Sequence, residues 1–297
     1  MNAADVMAAT VTDLIARIEQ GVELGELPWH HDGTIGLPHN TITKNIYRGG
    51  NLLTLWFTGN EHGWASNEWA TFKQWQQSGA TVRKGERGTR LVYWGTLTTD
   101  TDTTETTTGE QAETTAKART RRFAKTFVVF NTAQVDGLDL SVPNAEAPTG
   151  DVARWFDVIP ATVEWGKGRP CYRPALDRVM MPHPDSFRDP DAMWATLAHE
   201  LAHWSGHASR LDRTFGARFG DDAYALEELV AELSAAITCA VVGIATTFRD
   251  DHAHYLAHWC RVLKADPSIL WTVAGKAQAA TDHLVSYQPA ACQEIAA

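Results

Sequence analysis

The stretch Asp189-Pro190-Asp191-Ala192-Met193-Trp194-Ala195-Thr196-Leu197-Ala198-His199-Glu200-Leu201-Ala202-His203-Trp204-Ser205-Gly206 decides the reading of this chain. Its spacing predicts a helix. Asp189 suits the N-cap, Pro190 the first helical position and Asp191 the positive end of the dipole, while Gly206 sits where the helix should stop. Met193, Trp194, Leu197, Leu201 and Trp204 give it an apolar side. Within it lies His199-Glu200-Leu201-Ala202-His203, an HExxH pentapeptide. Histidines four apart share one helix face and can grip a single metal ion, with Glu200 beside them as the general base that polarises a water. We therefore expect a metallohydrolase helix.

A site of this kind needs a third protein ligand and an open position. The extension HExxHxxGxxH fails here: Gly206 is in register, but the third histidine position is Ser209, and His207 comes two residues too early. A carboxylate from a later helix is the alternative. Ala223 to Val242 offers one, with Leu226, Leu229, Val230, Leu233 and Ile237 as an apolar stripe and Glu227, Glu228 and Glu232 set into it. Glu228 and Glu232 lie four apart on one face. We read Glu228 as the metal ligand and Glu232 as a second carboxylate that supports a ligand histidine; the reverse assignment and a solvated glutamate face stay open. Tyr224, His207 and Arg210 are candidate donors to a reaction oxyanion, each also readable as structural. His252, His254 and His258 read as one exposed helix face rather than a second metal site.

At 297 residues the expectation is two domains, each with its own core. No apolar run approaches a membrane span, and residues 1–20 lack a signal-peptide core. They show instead a helical pattern in Val6, Met7, Val11, Leu14, Ile15 and Ile18, with Asn2 as a cap and Gly21 as a stop. The four cysteines, Cys171, Cys239, Cys260 and Cys292, have no paired spacing, which suggests reduced thiols in a cytoplasm. The net charge of −10 argues against coating of nucleic acid by bulk attraction. The charge is unevenly spread: residues 1–130 hold 13 Lys/Arg and 14 Asp/Glu, and residues 131–297 hold 13 and 22. The first part is near neutral and can still present a basic groove.

The composition marks a boundary in the same region. Residues 98–116 form a Thr-rich acidic tract with nothing to bury, expected as an exposed loop or hairpin tip, and Thr126 to Asn131 read as a strand. Residues 141–150 are the expected linker. A short αβ segment, the HExxH helix and three more helical stretches follow, one of them starting near Asp266-Pro267. The first part carries six of the twelve tryptophans (Trp29, Trp56, Trp64, Trp69, Trp75 and Trp94) interleaved with Arg48, Lys73, Arg83, Lys84, Arg87 and Arg90. Bases of single-stranded nucleic acid stack on such rings while cations follow the backbone; the competing reading is that the tryptophans are core.

Several segments carry a resemblance. Pro38-His39-Asn40, Tyr47-Arg48-Gly49-Gly50-Asn51, Trp69-Ala70-Thr71-Phe72-Lys73-Gln74 and Gly79-Ala80-Thr81-Val82-Arg83-Lys84-Gly85-Glu86 resemble the N-terminal domain of ArdC-type antirestriction proteins, a domain type also found in TraC-type plasmid primases. Asp177 to Pro182, the HExxH helix through Trp204-Ser205-Gly206-His207 to Arg210-Leu211, and Glu227 to Glu232 are similar to the zincin-like peptidase domain that follows it. The resemblance implies an α+β protein of two domains. Residues 1–140 would be a mixed α/β domain that binds single-stranded DNA without strong sequence preference; residues 151–297 would be a mainly helical zincin-like metallopeptidase domain. Carried over by position, it implies Tyr47, Arg48, Asn51, Trp69, Lys73, Arg83 and Lys84 as DNA-binding residues. His199 and His203 would be metal ligands, Glu200 the catalytic base, and Glu228 with Glu232 the third ligand and its supporter. Zinc is the implied cofactor, with another divalent metal as alternative. The implied partners are single-stranded DNA and a DNA-associated protein substrate, and the implied role is protection of incoming conjugative plasmid DNA. No motif builds a nucleoside triphosphate site, so a primase activity is the weakest reading. A DNA shield in which the metal is structural remains the alternative function.

Overall fold

The structure is a computed structural model that describes residues 2–24, 29–31, 36–99, 119–137, 152–214, 222–246 and 253–289. Helix α1 spans Ala3–Leu24. Its start is fixed by a reciprocal pair in which Asn2 Oδ1 accepts from the Asp5 amide at 3.0 Å and Asp5 Oδ2 from the Asn2 amide at 2.8 Å. The helix runs past Gly21, the expected stop: a glycine costs only about 1 kcal/mol inside a helix. Strand β1 (His39–Asn40), helix α2 (Gly50–His62), strand β2 (Glu68–Thr71), helix α3 (Phe72–Gln77) and strand β3 (Thr81–Val82) follow. Then come the long strands β4 (Thr89–Thr99) and β5 (Arg119–Asn131), and the short strand β6 (Val135–Asp136).

The first sheet has the order β1-β2-β5-β4, parallel between β1 and β2 and antiparallel elsewhere; β3 and β6 form a separate antiparallel pair. β4 and β5 are two arms of a hairpin in register from Thr89 opposite Val129 to Thr99 opposite Arg119. Thr98 and Thr99, the first residues of the Thr-rich tract, thus belong to a strand, and residues 100–118 lie outside the described residues, as does the expected linker 141–150. Thr71 closes β2 and opens α3 through a capping box with Gln74, which explains the Thr-x-x-Gln spacing.

The second half begins with α4 (Val152–Asp157) and a three-stranded sheet of β7 (Thr162–Gly166), β8 (Cys171–Arg173) and β9 (Arg178–Pro182), ordered β7-β9-β8. Among the described residues four helices follow: α5 (Pro190–Ser205), α6 (Asp222–Val242), α7 (Ala253–Ala265) and α8 (Ser268–Val285). The α5 boundaries match the sequence signals, with Asp189 Oδ1 accepting from the Ala192 amide at 2.7 Å and Gly206 at the C-cap. This mixed helix-and-sheet architecture agrees with the expected α+β class.

Helix α6 is buried nearly all round. One side contributes Leu229, Val230, Leu233, Ala236 and Ile237 to a core that also holds Leu14 and Ile18 of α1, Leu52, Trp56 and Phe57 of α2, Leu256 and Trp259 of α7, and Leu270 and Val273 of α8. Its other side adds Ala235, Cys239 and Val242 to a second core with Phe156, Tyr172, Val179, Met181, Leu197, Leu201 and Trp204. The first-half helices α1 and α2 therefore bury their apolar faces on helices of the second half. Truncating Ile18, which is fully buried in this shared core, should cost about 2–5 kcal/mol. We expect Ile18→Ala to lower amide-exchange protection in α6 as well as in α1, and a loss confined to α1 would show that the halves unfold independently.

Candidate metal centre and nucleic-acid interface

Helices α5 and α6 bring His199, His203 and Glu228 together. One ligand atom from each lies within 4.8 Å of the other two. His199 Nε2 stands 3.5 Å from Glu228 Oε2, and His203 Nε2 stands 3.6 Å from Glu228 Oε1. The opposite ring nitrogens face other carboxylates: His199 Nδ1 is 3.4 Å from Glu232 Oε2, and His203 Nδ1 is 3.3 Å from Glu227 Oε1. His203 is thus held at Nδ1 by Glu227, His199 has the Glu232 carboxylate beside its Nδ1, and both rings present Nε2 to one shared point, an arrangement of the kind that orients ligand histidines in metal sites.

The supporting carboxylates are held in turn. Arg213 donates to Glu227 through Nε at 3.1 Å and through its terminal nitrogen at 2.8 Å, and its other nitrogen reaches Ser205 Oγ at 2.9 Å. Glu232 Oε1 accepts from Trp29 Nε1 at 3.1 Å, and His30 Nε2 lies 3.7 Å from the same oxygen. The next residue ties down this segment of the first half: His31 Nε2 is 2.9 Å from the Ala236 carbonyl, and Thr246 bonds the His31 backbone. Sequence reasoning missed Glu227, Arg213 and Trp29. Glu227 was within reach, since two ligand histidines call for two supporting carboxylates. Nothing local marks Arg213 or Trp29.

Charge decides what the site fits. All four buried glutamates among the described residues, Glu200, Glu227, Glu228 and Glu232, sit on these two helices, against one buried guanidinium, Arg213. Buried charge of one sign must be compensated. Burial alone would lower the His203 pKa, but hydrogen bonds and charges from Glu227 and Glu228 outweigh it and push it up to about 10. Burial would likewise raise the Glu228 carboxyl, yet the two imidazoles hold it far below the usual range. A proton on His203 and a divalent cation are two ways of answering the same excess of negative charge. Two imidazoles and a carboxylate form a donor set suited to zinc and to other divalent ions.

The candidate oxyanion donors read as structural where their bonds are described. Arg210 lies over the Trp204 ring at 3.9 Å, donates to the Trp204 carbonyl at 2.7 Å and pairs with Asp177 at 3.0 Å. His207 Nδ1 meets Ser209 Oγ at 2.8 Å. His258 contacts Asp222 at 2.7 Å, whereas His252 lies outside the described residues.

The residues implied for DNA binding spread over several elements. Trp69 is fully buried in the sheet core, so its ring has no face to offer a base; this corrects the expectation of stacking there. Asn51 spends its amide on the Val92 backbone, at 2.7 Å as donor and 3.0 Å as acceptor, joining α2 to β4. Tyr47 accepts from Asn40 Nδ2 at 3.1 Å, which also donates to Gln74 at 3.1 Å. Arg83 pairs with Glu86 at 3.0 Å and bonds the Ala133 carbonyl, fastening β3 to the turn before β6. Arg48 pairs with Asp282 on α8. Lys73 and Lys84 are exposed. Of the first-half tryptophans, Trp29, Trp56, Trp69 and Trp75 are core residues, and Trp94 is 54% exposed.

Residues 4–130 match the family described as the N-terminal domain of anti-restriction factor ArdC, and residues 151–276 match the zincin-like metallopeptidase family. The metal-free crystal structure of the antirestriction protein ArdC from the R388 plasmid superposes with a TM-score of 0.76 at 32% identity, over 95% of this chain and 97% of that one. The chain belongs to the ArdC family. Among curated relatives, protein y4eC of Sinorhizobium fredii is 39% identical over 96% of this chain and 92% of its own length. DNA primase TraC of Escherichia coli is 33% identical over 94% of this chain, which spans only 27% of the primase. ArdC from R388 also has a Mn(II)-bound structure, similar to this chain with a TM-score of 0.71. A divalent metal is therefore the cofactor that the family and this donor set share.

Loss of a supporting carboxylate typically costs 10–100-fold in metal affinity. We expect Glu232→Gln to weaken Mn(II) or Zn(II) binding by about that factor in calorimetric titration. Trp29→Phe, which removes only the N–H donor, should act in the same direction and more weakly. Unchanged affinity in both would remove Glu232 from the site.

Proposed function

We propose that this protein binds single-stranded DNA with little sequence preference, carries a zinc-type hydrolase centre for proteins associated with DNA, and protects incoming plasmid DNA from restriction in the recipient cytoplasm. The observation that carries the reading is the His199, His203 and Glu228 cluster with Glu200 on the same helix as both histidines. Its similarity to ArdC along nearly the whole chain supports the antirestriction role, and its similarity to part of a DNA primase supports DNA binding.

His199, His203 and Glu228 would hold the metal, with zinc as the native ion. Bound there, a divalent ion supplies Lewis-acid polarisation of a peptide carbonyl and acidifies a water. The chain's own residues do the rest. Glu232 and Glu227 keep the two imidazoles oriented, and Arg213 and Trp29 keep those carboxylates in place. Glu200 takes the proton from the attacking water and returns it to the leaving amine as the C–N bond breaks. Burial of Glu200, at 3% exposure, keeps bulk water from competing for that proton.

The alternative is a DNA shield whose metal only consolidates the fold. The burial of four glutamates between two cores favours it, because a cation there stabilises α5 against α6 whether or not anything is cleaved. Glu200→Gln separates the two readings. It should leave metal and DNA binding intact and reduce hydrolysis by about 10²–10⁴-fold. In plasmid transfer to a restricting host at matched expression, loss of protection assigns the function to hydrolysis. Full protection by the variant assigns it to shielding.

A further inference from the structure

A cleft of about 390 Å³ opens between the start of α2 and one side of α8, away from the metal cluster. Arg48, Gly49, Gly50 and Trp94 line it from the first half, and Trp271 and Gln278 from the second. Gly49 has φ +56°, a left-handed conformation that favours glycine, and gives α2 no side-chain cap. Gly50 admits the Trp271 indole against the backbone: a Cβ there would fall 2.5 Å from its Cε2 and Nε1. Trp94 extends from β4 with 54% of its surface exposed. The polar side of the cleft is a chain of contacts in which Gln278 accepts from the Gly49 amide at 3.4 Å and donates to Asp282 at 3.1 Å, while Asp282 pairs with Arg48.

Two indoles beside a guanidinium, at a helix start bare of side-chain cap, suit an aromatic ring joined to an anion. The volume falls at the small end of ligand clefts. Arg48 and Asp282 neutralise one another, so the cleft is no general sink for anions and ring stacking must supply most of the attraction. We propose that the cleft holds one nucleotide unit of a DNA single strand, its base against Trp94 and Trp271 and its phosphate toward Arg48 and the first turn of α2. The inference rests on the single-stranded DNA reading above and adds that the DNA footprint crosses onto α8 of the metallopeptidase half.

The test is anisotropy of labelled oligothymidylate with the full chain, comparing wild type, Trp94→Ala, Trp271→Leu and, as a control, Trp165→Ala, which removes a half-exposed indole from β7. A stacked base contributes about 1–3 kcal/mol. Each cleft variant should therefore weaken binding by about 5- to 150-fold, with little change in the salt dependence, while Trp165→Ala binds like wild type. Trp94 is on the surface, so its variant decides the matter should Trp271→Leu fail to fold. Wild-type affinity in the cleft variants overturns the cleft and leaves the DNA reading standing. Failure of the wild type to bind the oligonucleotide overturns both.

Discussion

Three buried glutamates on one helix are the constraint around which the second half is organised. Isolated carboxylates in such a place would cost several kcal/mol each, and α6 has apolar cores on two sides. Every neighbour answers that demand. α5 supplies two imidazoles a helical turn apart, the turn after α5 returns Arg213 as a two-pronged donor, and the first half reaches in with the Trp29 indole. The geometry of the cluster and the stability of the fold come from the same contacts. The site is hard to distort by a surface change, because displacing any one partner leaves a buried charge unanswered.

The first half follows a different logic. The segments that most resemble the ArdC family are largely a scaffold. Asn40 joins the turn after β1 to Tyr47 and to the α3 capping box, Asn51 fastens α2 to β4, and Arg83 secures β3. Such polar side chains satisfy backbone groups in short strands and tight turns that no long ladder could satisfy, which explains why they stand out in the sequence. They can be indispensable to the shape of a binding surface without touching a ligand themselves. The aromatic and glycine positions at the edge of that scaffold, Trp94, Gly49 and Gly50, are better placed to meet a ligand.

The α5 boundaries and the meeting of His199, His203 and Glu228 were legible in the chain because each depends on local spacing. Asp189 and Gly206 bracket α5, and the four-residue steps from His199 to His203 and from Glu228 to Glu232 set two faces that meet in the structure. The DNA-binding assignments were less legible. Trp69 and Asn51 look like ligand residues in one dimension, but the sheet core takes the indole and the Val92 backbone takes the amide. Arg213 and Trp29 were invisible for a simpler reason: their partners lie 14 and 203 residues away. The Thr-rich tract read as an exposed loop or hairpin tip, but its first residues, Thr98 and Thr99, extend β4, as Thr suits a strand.

The core shared by α1, α2, α6, α7 and α8 has a consequence for how such a protein can be built into larger ones. Two beads on a string can be shuffled separately, but here each half completes the other's interior, and the Trp29 indole even completes the other's metal centre. Cut apart, either half would expose a broad apolar face. The unit available for gene fusion is therefore the pair, which accords with a primase several times longer that matches this chain through both halves at once. Inheritance as a single cassette is what the packing permits.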